Sequence, residues 1–166
     1  MKINETHPDR SNNMAFGNLF KKKKEEKEEV LVREGIQTGL PSVDKETAIR
    51  TAGQLLVDLG CVNEDYIDGM LEREQLVSTY MGMGIAIPHG TSRVKDEVKK
   101  SGIVVLQYPD GVDFGEEKAY LVFGIAGVGD SHLELLAKIA ETLENEELLE
   151  KMKKQADVDM IMEALQ

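Results

Sequence analysis

Residues 84–91, Gly-Ile-Ala-Ile-Pro-His-Gly-Thr, hold the side chain best suited to chemistry. Ile85-Ala86-Ile87 is a short apolar run that reads as a buried strand. Pro88 ends it, because proline has no N–H to give to a ladder. His89 follows, then Gly90, the punctuation of a turn. The strand end thus presents one imidazole in a constrained loop. Its unperturbed pKa lies near neutrality, so a neutral ring nitrogen is available as a nucleophile at pH 7. Thr91 can donate a hydroxyl hydrogen bond that fixes the ring tautomer of His89, or it can simply occupy the turn.

His132 is the second candidate. Ser131 and Glu134 form a capping-box pattern, which puts His132 at the first helical position. Free N–H groups and the positive end of the helix dipole suit a bound phosphate there. The preceding Gly124-Ile-Ala-Gly-Val-Gly-Asp130 lacks the Lys-Ser/Thr of a Walker loop, which argues against nucleotide binding. Arg73, between Glu72 and Glu74 late in a helical stretch, reads by itself as a solvated charge. His7 lies in a polar N-terminal segment and reads as incidental. Cys61, the single cysteine, reads as a small buried apolar residue and can form no internal disulfide.

The loop resembles the active-site loop of enzyme IIA proteins of the mannitol/fructose class of the bacterial sugar phosphotransferase system. Further blocks extend the resemblance over about residues 30–166: Leu71-Glu-Arg-Glu74, Gly102-Ile-Val-Val-Leu-Gln-Tyr-Pro-Asp-Gly-Val112, and Gly124-Ile-Ala126 leading to His132. The Pro-His-Gly-Thr form is most like the mannitol branch. The resemblance implies that His89 accepts a phosphoryl group from the carrier HPr and passes it to a cysteine of enzyme IIB or a IIBC permease. It implies that His132 lies beside His89 and that Arg73 belongs to the same site, where a guanidinium holds phosphate oxygens through two parallel hydrogen bonds. No metal or organic cofactor is implied. Met83 stands near a position where mannitol-type members have glutamate, so a carboxylate that orients a neighbouring arginine is missing. A fructose-type IIA, or a regulatory IIA-like module that reports carbon status, would keep the same histidine.

The elements that must position these residues follow from periodicity. A first strand is expected within 30–40. A helix over 44–59 places Ile49, Ala52, Leu55, Leu56 and Leu59 on one face, with Gly60 at its C-terminal cap. Asn63 is expected to cap a second helix reaching about Glu74. Strands follow near 84–88, 102–108 and 119–126, with Pro109-Asp110-Gly111 marking a turn. The C-terminal third is helical. Leu133, Leu136, Ile139, Ala140 and Leu143 form a stripe, Asn145 caps one helix, and Asp157 opens a last short one. The expectation is an α/β (α+β type) domain, a three-layer α/β/α sandwich with a small mixed central sheet.

The chain of 166 residues carries a formal net charge of −11. Residues 1–29 hold seven basic and six acidic side chains and end in the block Lys21–Glu29, so they read as a flexible charged tail. Residues 30–166 hold 13 basic and 25 acidic ones and read as the folded phosphotransfer domain. That field repels nucleic acid and anionic membrane and attracts basic partner surfaces. Asp130, Glu72 and Glu74 are expected at the rim of the site, facing such a partner. No apolar run approaches the ~20 residues that span a bilayer. A cytoplasmic protein that meets the membrane only through a permease is the expectation.

Overall fold

The apolar runs at 103–106 and 121–126 are the centre of the molecule, and they pair antiparallel. A computed structural model describes residues 29–129 and 133–166. The expected tail over 1–29 lies, apart from Glu29, outside the described residues. So do Asp130, Ser131 and His132. The described residues form five strands: β1 (Ile36–Gln37), β2 (Tyr80–Gly82), β3 (Ile85–Ala86), β4 (Gly102–Asp113) and β5 (Lys118–Ala126). Their order is β1-β4-β5-β3-β2. β1 runs parallel to β4 and β3 parallel to β5, whereas the β4/β5 and β2/β3 pairs are antiparallel.

Alternation along the central pair divides the core in two. Val104, Leu106, Tyr108 and Val122 face one side, with Ala48, Ile49, Ala52 and Leu56 of α1 (Lys45–Asp58) and Met70 of α2 (Asp65–Leu76). Ile103, Val105, Leu121, Phe123 and Ile125 face the other, with side chains from α3 (Leu133–Leu143), α4 (Glu146–Lys154) and α5 (Val158–Ala164). Strands buried on both faces read as continuous apolar runs. The result is the expected α/β/α sandwich around a mixed sheet. Gln107 is a fully buried polar exception. Its Oε1 accepts from the Gly39 N–H at 2.9 Å, and its Nε2 donates to the Met152 and Gln155 carbonyls, both at 2.6 Å.

Several boundaries follow the sequence. Asp44 caps α1 through the Thr47 N–H at 2.7 Å. Asn145 and Asp157 cap α4 and α5. The end of α1 is a Schellman turn. The Gly60 N–H bonds the Val57 carbonyl, the Cys61 N–H bonds the Leu56 carbonyl, and Gly60 takes φ +78°.

Other boundaries differ. Asn63 does not cap α2 with its side chain. Its backbone carbonyl takes the Tyr66 N–H, and the helix continues to Leu76. Pro109-Asp110-Gly111 is not the turn between β4 and β5. The strand runs on to Asp113 through a register shift between Gln107 and Val112, which Gly111 absorbs at φ +82°. The chain reverses later, where the Phe114 N–H bonds the Glu117 carbonyl at 2.9 Å. The hairpin of β2 and β3 adds a strand that periodicity does not show. Its turn, Gly82-Met83-Gly84, has φ of +94°, +57° and +83°. On α3, Leu135 and Thr142 join Leu136, Ile139 and Leu143 on the covered face, while Leu133 and Ala140 stay exposed.

Cys61 is buried, as its small apolar character implies, and burial pushes its thiol pKa up despite the nearby Lys100 and Lys99. It sits so close to the start of β4 that a Cβ on Gly102 would lie 2.3 Å from its Sγ. Gly102→Ala is expected to cost about 1–3 kcal/mol of stability. Urea unfolding measures it, and the double variant with Cys61→Ala should recover part of the loss.

Candidate active site

The loop after β3 lies along the end of β5 and is fastened there. The Ile125 N–H bonds the Pro88 carbonyl at 3.0 Å, and His89 forms a parallel bridge with Ile125. His89 is half-buried, and its Nδ1 lies 2.7 Å from the Ile87 carbonyl oxygen. A carbonyl can only accept, so Nδ1 carries the proton. Nε2 is then the nitrogen with the lone pair. His89 lines a cleft of about 480 Å³, together with Tyr66, Ile87, Thr91, Lys95 and Leu136, among others.

Tyr66, which the sequence reading did not single out, holds this loop. Its ring is buried and its hydroxyl bridges two backbones. It donates to the Ile125 carbonyl at 2.7 Å and accepts from the Gly90 N–H at 2.9 Å. Gly90 is required by space: a Cβ there would lie 2.7 Å from both Tyr66 Cε1 and Val94 Cγ2. The helical period puts Tyr66 and Met70 on the core-facing side of α2, which is the signal available in sequence. That the hydroxyl reaches a loop 24 residues later is not in that signal.

Thr91 does not set the tautomer of His89; the Ile87 carbonyl does. The Thr91 hydroxyl donates to Glu72 Oε1 at 3.1 Å, and Arg93 Nε reaches the same oxygen at 3.2 Å. Glu72 therefore clasps the segment after the histidine to α2. The hydrogen bonds from Arg93 and then Thr91 hold its carboxyl below the usual carboxylate range.

Arg73 lies one residue along the same helix. It is half-buried, and its Nη1 donates to the Val77 carbonyl at 2.6 Å, so the side chain folds back over its own helix end rather than lining the cleft. Met83 occupies the hairpin turn, half exposed. Glu74 is not at the rim: it is buried and takes the backbone and hydroxyl of Thr79. His132 and Asp130 lie outside the described residues. Among the described residues, no group of three His, Cys, Asp or Glu side chains gathers where it could hold a metal ion.

The chemistry this arrangement can do is nucleophilic. It offers one imidazole of fixed tautomer at the wall of an open cleft, with Lys95 among the lining residues and a loop tied to a helix, a strand and the start of the β2/β3 hairpin.

Known proteins resemble this chain. A sequence model of the family described as "Phosphoenolpyruvate-dependent sugar phosphotransferase system, EIIA 2" matches residues 29–166. The mannitol-specific phosphotransferase enzyme IIA component of Bacillus subtilis is 49% identical over 125 residues, 75% of this chain and 87% of that protein. The mannitol-specific EIICBA component of Pasteurella multocida is 44% identical over 140 residues, 82% of this chain and 22% of that protein. The chain thus spans about a fifth of the length of such EIICBA relatives. Among solved structures, a complex of enzyme IIAMTL and phosphorylated enzyme IIBMTL from Escherichia coli contains a chain that matches with a TM-score of 0.76. The identity is 42%, covering 81% of this chain and 96% of that one.

Two outcomes test the site's construction. Tyr66→Phe leaves the Gly90 N–H and Ile125 carbonyl without their bridge, so stability should fall by about 1–3 kcal/mol in thermal or urea unfolding. Amide exchange at Gly90 should quicken in the same variant. The Glu72 clasp has the opposite pH sense to a histidine link. With its carboxyl pKa lowered on folding, the clasp is complete above the ordinary carboxylate value and opens only as pH falls through the lowered one. Thr91 and Arg93 resonances should therefore hold still through neutral pH and move together in acid.

Proposed function

The chain belongs to the EIIA 2 family of the phosphoenolpyruvate-dependent sugar phosphotransferase system, and from that membership we propose that it is a mannitol-type enzyme IIA phosphocarrier. Phospho-HPr is the donor, and a cysteine of enzyme IIB or of a IIBC permease is the acceptor. Residues 30–166 carry the transfer, in the cytoplasm; among the described residues no helix is long and apolar enough to cross a membrane. The observation that carries the reading is the Nδ1–H bond of His89 to the Ile87 carbonyl at 2.7 Å, which leaves Nε2 as the nucleophile.

The Nε2 lone pair attacks phosphorus in line as the donor's N–P bond breaks. The new N–P bond leaves the ring cationic, its charge shared with the Nδ1 that kept its proton. The Ile87 carbonyl dipole stabilises that charge. The kept proton also makes the second step favourable. When the IIB thiolate attacks phosphorus, His89 departs as a neutral imidazole and needs no proton from solvent. Little covalent chemistry remains for the protein beyond positioning and charge neutralisation. Lys95 at the cleft wall and Arg73 of α2 supply positive charge for the three phosphoryl oxygens. For Arg73 this requires a rotamer that leaves the Val77 carbonyl. His132, one residue before Leu133 in the sequence, is assigned to the same oxygens.

Mapping of acid-labile label after incubation with phospho-HPr should find phosphate on Nε2 of His89, and His89→Ala should accept none. Stable label on His132 or His7 would overturn the assignment. Arg73→Lys keeps the charge and removes the fork. It should bind HPr normally and transfer at least about tenfold more slowly. A wild-type rate would return Arg73 to a helix-end cap.

A further inference from the structure

We propose that Glu74 is a positioning residue for His89, holding the imidazole tautomer through a continuous relay of hydrogen bonds. The inference rests on the phosphocarrier reading for its consequence, but not for its geometry. Glu74 sits in the last turns of α2, and only 6% of it is exposed. Its Oε1 accepts twice from one residue, from the Thr79 N–H at 3.0 Å and the Thr79 hydroxyl at 2.6 Å. The Thr79 carbonyl accepts the Ile87 N–H at 3.0 Å. The Ile87 carbonyl accepts the His89 Nδ1–H at 2.7 Å. In Thr79 and in Ile87 the N–H points to one partner and the C=O to the next. A shift at the carboxylate is thus carried through two peptide segments to the ring.

The cost of burying this carboxylate argues that the arrangement is specific. A desolvated carboxylate is unfavourable unless it is paired and hydrogen-bonded. Glu74 Oε2 faces Lys45 Nζ across 3.5 Å, and although burial pushes the carboxyl pKa up, hydrogen bonds from Ser78 and Thr79 and the Lys45 charge hold it below the usual carboxylate range. Lys45 itself lies 5.8 Å from the centre of the Phe114 ring. An apolar side chain would fill the space without that penalty. It could not take both donors of Thr79, which is the residue that turns the chain from α2 into β2.

The relay matters because the tautomer decides which nitrogen is nucleophilic. If the Ile87 carbonyl drifts, the ring can carry its proton on Nε2 and present no lone pair to the cleft.

The test uses the full chain with 15N-labelled histidine, unphosphorylated, at a pH where the ring is neutral. Wild type should show one tautomer at His89, with a protonated Nδ1. Glu74→Ala should show a mixture. At saturating phospho-HPr, its single-turnover rate should fall roughly ten- to a hundredfold with the half-saturating concentration unchanged. Glu74→Gln keeps a carbonyl for Thr79 and should restore both tautomer and rate. A folded Glu74→Ala variant with the wild-type tautomer and rate would overturn the proposal. If that variant does not fold, Glu74→Asp decides. It keeps the charge but draws the carboxylate back from the Thr79 N–H, and tautomer mixing supports the relay whereas an unchanged spectrum overturns it. The spectrum needs no phosphoryl donor, so a His89 that never accepts phosphate would sink the phosphocarrier reading and leave the relay to be judged separately.

Discussion

A nucleophilic imidazole of fixed identity must keep one nitrogen protonated and pinned while the other stays bare. That requirement organises the rest of the structure. An imidazole in water exchanges its proton freely between two nitrogens and rotates about two bonds. Here a carbonyl two residues upstream removes that freedom at a distance of 2.7 Å. A backbone carbonyl serves well because it cannot titrate and cannot donate. Its weakness is that it is only as fixed as its peptide.

The fold supplies the fixity. Ile87 and Pro88 stand just past β3, where the parallel ladder with β5 has run out and backbone groups need other partners. The Ile125 N–H takes Pro88, the Thr79 carbonyl takes Ile87, and the Tyr66 hydroxyl takes Gly90. Each tie reaches a different element, so the loop cannot move without breaking bonds to a strand, a hairpin and a helix. Behind it stands β5, buried on both faces and paired along most of its length with β4. The strand paired and buried at the centre of the sheet therefore backs the histidine.

The two helical layers contribute unequally to the site. The layer with α2 supplies Tyr66, Glu72 and Glu74, all on one helix and each bonded to the loop or the hairpin. The other layer supplies Leu136 of α3 to the cleft wall. Glu72 and Glu74 are two residues apart, yet one is an exposed clasp and the other a buried anchor. Two residues turn a helix by about 200°, which is enough to carry neighbouring acids from solvent to the interior. Their charges alone do not distinguish them.

The sequence determined the layers. Strands buried on both faces, amphipathic helices and the helix starts at Asn145 and Asp157 are local patterns, and each reads correctly because local sterics and burial decide them. It also marked His89, since Pro88 and Gly90 announce a strand end wherever they fall. Composition and period did not reveal the β2 strand, the bulge that carries β4 past Gly111, or the buried state of Glu74. A three-residue strand has too few side chains for a period. A bulge is chosen by the partner strand, and an acid is buried only if its partners arrive. The free nitrogen of His89 is likewise a tertiary fact. It depends on where the Ile87 carbonyl points, and that is fixed by Thr79 and Ile125, which lie eight residues before it and 38 residues after it. Side-chain type and spacing specify what a residue can do; only the assembled hydrogen bonds specify which of its atoms is left to do it.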